Sequence, residues 1–374
     1  AHKRAHKNAT MKVMDDVIVI GAGISGLVIA KQVATQGKRV RLVEARPFVG
    51  GRLRTVDGID TGAAWTWPGD KHVRSLAKEL GVGLFAQPAD GKLVYDSSWG
   101  AQEQRDEGAA GPGASRFAGG AGGLARRLHE SLDVPTHLNA AVTAIRVDDD
   151  GVACEMASGE VLKGRCAVVT APPRVALEIR YDPPLPRRKR EAMASIATWM
   201  ADAMKVGLAF ETPWWRERGY SGAVFSESGP LSQIWDNSDG DQYALAGFAF
   251  GRNMLALKAM PEPELKATVL AQLKKVYGSD VVVGDPTRVV STAWLDEPYT
   301  FAPNPAAQTR SYGRPELGAT HASKLFFAGT ETDPAQGHIE GAVRSGRKAA
   351  ADVLDFLASA PASSEKKTSS CAQT

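Results

Sequence analysis

Residues 16–26 read DVIVIGAGISG, and their reading decides the fold. The run at 16–20 is apolar and β-branched and stops at a glycine, the pattern of a short buried strand. Gly21, Gly23 and Gly26 follow in G-x-G-x-x-G spacing. LVIAKQVATQG then reads as a helix, with Leu27, Ala30 and Val33 on one face. KRVRLVEA at 38–45 is a second strand that ends in Glu44. The order says more than the glycines alone: strand, glycine turn, helix, strand with a terminal acid is a dinucleotide-binding βαβ unit. Gly21 permits the tight turn, Gly23 lets backbone approach a pyrophosphate, and Gly26 lets helix pack close on strand. Ile24 and Ser25 lie within the motif. The helix start offers free N–H groups and a positive dipole end. Glu44 can accept from both hydroxyls of an adenosine ribose and would repel a 2′-phosphate, which disfavours NADP. A glycine-rich turn in an unrelated βαβ unit is the plain alternative.

The next residues bear on which dinucleotide is held. Glu44 is followed by Ala45 and Arg46, and then by Gly50, Gly51 and Arg52. A second close backbone approach beside a cation suggests more phosphate or ring contacts than NAD needs.

Bulk composition narrows the classes. The 374 residues suffice for two intertwined domains with a sizeable core. A net charge of +3 from scattered basic residues gives no argument for nucleic acid. The densest basic run, PRRKRE at 186–191, reads as a solvated helix start. Cys154, Cys166 and Cys371 form no CxxC pair, so neither a disulfide framework nor a metal site is expected. No apolar run approaches the ~20 residues that span a membrane. With no signal peptide visible, a cytoplasmic setting is expected. Residues 1–14 read as a disordered arm or tag and 359–374 as a disordered tail.

The run DVIVIGAGISGLVIAKQVATQGKRVRLVEARPFVGGRLRT resembles the FAD-dependent amine oxidase family, which contains monoamine and polyamine oxidases. The resemblance covers most of residues 15–356. DTGAAWTWPGD at 60–70, FAGGAGGLARRLHESL from 117, and the region 134–173 ending CAVVTAPP resemble successive flavin-side segments. Read alone, VTAIRV, GVACEMASG and GEVLKG alternate as an antiparallel meander. FFAGTETD and QGHIEGAVRSGRKAA, in that order, resemble the family's C-terminal flavin motif. The resemblance implies an α/β fold. A Rossmann-like FAD-binding domain (15–75, 117–180, 315–358) would intertwine with an α+β substrate domain (76–116, 181–314) of mixed sheet plus helices. It implies adenosine near Val142, cofactor contacts at Gly329 and Glu331, and a helix start at His338 and Ile339 facing the flavin. Between Leu80 and Phe117, where larger members carry a helical insertion, the Gly, Ala, Ser and charge content suggests a loop.

The same resemblance assigns chemistry. Lys205 in AMKVGLAFETPWW falls at the flavin-facing lysine; the residues alone show a lysine in an apolar strand, which an edge strand would also explain. Tyr299 in WLDEPYTF and His338 fall at the two aromatic cage positions, His338 where many members have tyrosine. Pro298 stands where the monoamine oxidases attach flavin through cysteine, so FAD is expected to be non-covalent. DTGAAW places Trp65 where amino-acid oxidases carry an arginine clamp, with Arg52 and Arg54 as other candidates for that role. Trp65, Trp67, Trp199 and Trp235 could line an apolar cavity or simply pack in the core. The expected partners are a small amine and O2, giving imine, then aldehyde and ammonia, with peroxide. Two other readings stay open: a flavin desaturase or dehydrogenase acting on an apolar non-amine, and a flavin-binding scaffold whose site has decayed. Oligomeric state is open.

Overall fold

The computed structural model describes residues 14–99, 102–105, 113–198, 200–278, 283–302, 312–334 and 337–359. The arm, the tail (apart from residues 14 and 359), Cys371 and Trp199 lie outside that set. The chain forms an α/β fold around two large sheets.

The first sheet has a parallel core. Strands Thr136–His137, Val40–Val43, Asp15–Ile20, Val161–Val169 and Leu325–Phe327 lie side by side, all parallel. Val161–Val169 also joins the expected meander: its first half pairs antiparallel with Gly151–Met156, which pairs with Val142–Asp148. The continuous apolar run of the first strand has a physical reason. Val17 and Val19 pack in one core with helices Ile24–Thr35 and Ile339–Ser359, while Ile18 and Ile20 pack in another on the opposite face. Fully burying one such side chain contributes roughly 1.5–3 kcal/mol.

Those two helices cross closely. A Cβ at Gly346 would sit 2.7 Å from the Ser25 carbonyl oxygen, and the hydroxyls of Ser25 and Ser345 are 3.4 Å apart. The crossing brings both helix starts to one cavity, which Ile24, Ser25, His338 and Ile339 all line.

The second sheet runs Arg288–Ala293, Ala203–Phe210, Tyr243–Phe250, Gln233–Asp236, Tyr220–Ser226, Lys92–Asp96, Gln102–Arg105. Met204, Val206, Leu208 and Phe210 share a core with residues of helices Gly251–Lys258 and Glu262–Tyr277. Lys205 alternates with them, so the two-residue period turns it to the opposite face.

Two sequence expectations need correction. The segment between Leu80 and Phe117 is not simply a loop. It holds strands Leu84–Ala86, Lys92–Asp96, Gln102–Arg105 and Ser115–Phe117, and Lys92–Asp96 pairs in parallel with Tyr220–Ser226. Leu84–Ala86 pairs with Ser115–Phe117 and Lys92–Asp96 with Gln102–Arg105, short pairings that the small and charged residues of the segment concealed. The basic run does begin helix Arg187–Ser195, but Lys189 is buried, and its ammonium donates to the carbonyls of Glu316, Leu317 and Ala319 at 2.9, 2.9 and 2.8 Å. Cys154 and Cys166 are free and buried, and burial pushes both thiols up to about 12. Among the described residues there is no helix long and apolar enough to cross a membrane and no His/Cys/Asp/Glu cluster fit for a metal.

Candidate active site

A cavity of about 680 Å³ is lined by residues of both sheets. That is ample for a cofactor, whose sites run to roughly 300–1,000 Å³. One end is glycine-rich, with Gly21, Gly23, Glu44, Ala45, Arg46, Gly50, Gly51, Arg52 and Val142. The other holds Trp65, Trp67, Lys205, Trp235, Tyr299 and His338.

At the glycine end each residue has a distinct reason to be there. Gly21 has φ +105° and Gly50 φ +110°, a region that side chains rarely adopt. A Cβ at Gly26 would run into the Gly21 carbonyl oxygen, so Gly26 packs behind the wall and does not line it. A Cβ at Gly23 would meet only Gly51 Cα, at 3.9 Å. The space beside Gly23 is thus left open to a ligand, which fits a pyrophosphate cradle. The Glu44 carboxylate accepts the Ala22 and Arg46 N–H groups at 2.8 and 3.0 Å. These bonds fix its orientation, and each oxygen keeps a second lone pair for a ribose hydroxyl. Arg52 meets Glu331 through two nitrogens, at 2.7 and 3.1 Å. Burial would lower the Arg52 pKa, but Glu331 outweighs it and the net shift is upward. Glu331 itself is buried and does not line the cavity; it acts through Arg52. Gly329 does line it.

At the aromatic end, Lys205 is 2% exposed and donates to the Gly62 carbonyl at 2.9 Å. Its ammonium lies 4.9 Å from the Trp65 ring centroid and 4.7 Å from that of Phe248. Burial pulls its pKa down to about 7, with Asp60 opposing and Arg116 adding to the fall. Asp60 and Arg116 form a fully buried pair at 3.1 Å. Trp65 and Trp235 meet edge to face at 5.9 Å. Tyr299 sits in a left-handed turn, φ +59°, half exposed. His338 precedes the last helix, and its carbonyl accepts the Thr330 hydroxyl at 3.0 Å. Its ring stacks on Trp67 with centroids 5.1 Å apart and planes 26° apart. Burial lowers the His338 pKa, with Asp70 pulling the other way, so the ring is neutral at pH 7.

The structure therefore brings Lys205, Tyr299, His338, Trp65 and Trp235 to one cavity. The ring stacked on His338 is that of Trp67. Neither arginine stands as a carboxylate clamp: Arg52 is engaged by Glu331, and Arg54 is not in the lining. Met200, Gln233, Phe248 and Phe250 line the cavity and were missed from sequence. Phe248 is the register partner of Lys205, a signal that only strand pairing discloses.

A family model described as flavin containing amine oxidoreductase matches residues 89–354. The chain belongs to that family. A second model, NAD(P)-binding Rossmann-like domain, matches residues 19–80, the glycine end of this amine oxidoreductase. Its cofactor is FAD. Amine oxidase B of Cavia porcellus is 23% identical over 461 positions, covering 92% of the chain and 87% of the relative. Amine oxidase A of Canis lupus familiaris is 24% identical over 456, covering 92% and 86%. Both alignments are longer than the 374-residue chain, so each relative carries residues that this oxidoreductase lacks within the matched span. Among solved structures, putrescine oxidase bound to putrescine superposes with TM-score 0.77 at 23% identity, covering 92% of this chain and 99% of that one. Cyclohexylamine oxidase from Brevibacterium oxydans gives 0.79 at 22%, covering 92% and 100%. These structures share the fold.

Proposed function

We propose that this chain oxidises the C–N bond of a small amine to an imine, which hydrolyses to aldehyde and ammonia while O2 becomes hydrogen peroxide. The observation that carries this reading is one continuous cavity joining a glycine cradle to a buried lysine among aromatic rings.

FAD, when bound, supplies the two-electron acceptor for the amine. The chain's part is to hold it and to prepare the substrate. Gly21, Gly23, Ile24, Ser25, Gly50 and Gly51 would offer backbone to the pyrophosphate, with Gly26 letting the helix pack close behind them. Glu44 would hold the ribose, with Ala45 and Val142 beside the adenosine; Arg46 and Arg52, paired with Glu44, Glu297 and Glu331, would offer N–H donors to the cofactor. The start of helix Ile339–Ser359 turns its positive dipole end to the cavity and would favour negative charge at the ring end. Glu331 fixes Arg52, and Gly329 leaves room beside it. Pro298 offers no sulfur for attachment, so the cofactor is held without a covalent bond.

Lys205, near neutrality at physiological pH, can orient a water or take a proton beside the reacting carbon. Tyr299 and His338 guide the amine between neutral rings, which do not trap its ammonium form. The proposed division is into an FAD-binding domain (15–75, 117–180, 315–358) and a substrate domain (76–116, 181–314), and the two large sheets support it in outline.

Anaerobic mixing of the flavoprotein with monoamines, polyamines and amino acids tests the reading. Bleaching by at least one amine, with peroxide on re-aeration, is expected. Bleaching by none overturns it. Acid precipitation should release free FAD; flavin retained in the pellet would contradict non-covalent binding.

A further inference from the structure

The segment TWPGD at 66–70 has no part in the chemistry above, yet it is held unusually firmly. The Asp70 carboxylate accepts the Trp67 N–H at 2.8 Å and the Thr66 hydroxyl at 3.2 Å. The Asp70 N–H in turn donates to the Trp67 carbonyl at 3.0 Å. Helix Lys71–Glu79 starts at the next residue, but Asp70 gives it no side-chain cap. Its Oδ2 is engaged with the turn.

The cap comes from the other end of the chain. Glu340, in the first turn of the last helix, accepts the His72 and Val73 N–H groups at 3.0 and 2.8 Å. A carboxylate at a helix N-terminus satisfies orphan donors and complements the helix dipole. Arg347, farther along the same helix, meets His72 Nδ1 at 3.2 Å. Glu340 is two residues from His338, so the clamp that joins these helices also sets Trp67 over His338. Both rings line the cavity.

We propose that Trp67 is a specificity-determining residue that forms with His338 one composite wall favouring flat arylalkylamines, and that Glu340 is the positioning residue holding that wall. The inference rests on the amine-oxidising reading. An indole backed onto an imidazole presents a broad apolar surface, and a flat ring gains most against it. Asp70 lies on the turn, Glu340 lies on the last helix, and Arg344 of that helix pairs with Asp333.

Two measurements on the FAD-loaded protein test it. In the first, Trp67→Leu should raise KM for an arylalkylamine by about tenfold, the upper end for an aromatic pair. KM for a linear alkylamine of equal carbon number, and kcat for both, should stay within about twofold, since the lost contact serves binding alone. Glu340→Gln keeps one acceptor and should move the same ratio in the same direction by less. An equal change for both amines, or none, overturns the specificity role.

The second measurement does not depend on turnover. Imidazolium quenches a stacked indole, so the emission difference between the wild type and Trp67→Phe should titrate with His338 and lose that titration in His338→Gln. An emission difference that is flat with pH overturns the stack. If no amine is oxidised, this titration still decides the wall, so failure of the two readings can be told apart.

Discussion

The two ends of the cavity are built on different principles. The glycine end is local: most of its residues fall between Ile20 and Leu53, and backbone makes the surface. The aromatic end is assembled from afar: Trp65 and Trp67, Lys205, Trp235 and Phe248, Tyr299 and His338 come from separate segments, and side chains make the surface. A local cradle depends on where a Cβ is missing, a distant assembly on which strands pair and which helices are clamped together. The first tolerates drift elsewhere in the chain; the second answers to changes far from the ligand.

The largest expected effect breaks the aromatic end. Lys205→Met should cut kcat/KM by about 100-fold or more if the lysine handles a proton or water. The same change should stabilise the fold. The folded pKa of about 7 lies below the ordinary 10.5, so the neutral lysine is free of penalty above 10.5 and stability is lost as pH falls towards 7. The variant's advantage should therefore open between pH 10.5 and 7 and level off below, reaching on the order of 5 kcal/mol. Denaturant midpoints across that range would check it; an advantage independent of pH would contradict the buried ammonium.

Next in size is the support behind the glycine end. Glu331→Gln leaves the half-buried Arg52 without its counter-charge and should cost about 1–3 kcal/mol, the range for losing the partner of a charged hydrogen bond. The flavin-to-protein absorbance ratio should fall with it. A pair of glycine variants then sharpens the contrast. Gly26→Ala meets backbone and should destabilise even the flavin-free protein by about 1–3 kcal/mol. Gly23→Ala meets open space and should leave the flavin-free melting temperature in place while weakening FAD. Equal behaviour of the two would erase the distinction drawn at that end.

The smallest effect belongs to the cage. His338→Tyr should change the acid limb of the pH–rate profile and little else. The lowered pKa keeps the ring neutral at pH 7, and as pH falls through it an imidazolium forms that repels an incoming ammonium. Tyrosine removes that limb. At pH 7.5 the rates should agree within about threefold, as removing an uncharged wall contact would allow. An unchanged acid limb would remove His338 from any tuning role.

How much was legible follows the same division. The strand, glycine turn, helix and acid of residues 15–44 could be read because period and spacing are local properties. The face of Lys205 could not be, because all eight residues of Ala203–Phe210 are buried and no polar alternation marks a side. The segment after Leu80 looked like a loop because its strands are short and lie among Gly, Ala, Ser and charged residues, and Lys92–Asp96 is held between Gln102–Arg105 and the distant Tyr220–Ser226. Trp67 was one tryptophan among several until the Glu340 clamp placed it against His338.

That clamp has a consequence for the order of events during synthesis. Helix Lys71–Glu79 is made before its capping carboxylate, which lies 268 positions after His72. The parallel sheet likewise waits for Leu325–Phe327, and Ser25 waits for Gly346. A nascent chain stopped before residue 325 carries the complete glycine motif yet lacks the strand and helix that close over it. Closure of the cradle therefore depends on contacts of high sequence separation, the kind that form slowly in folding.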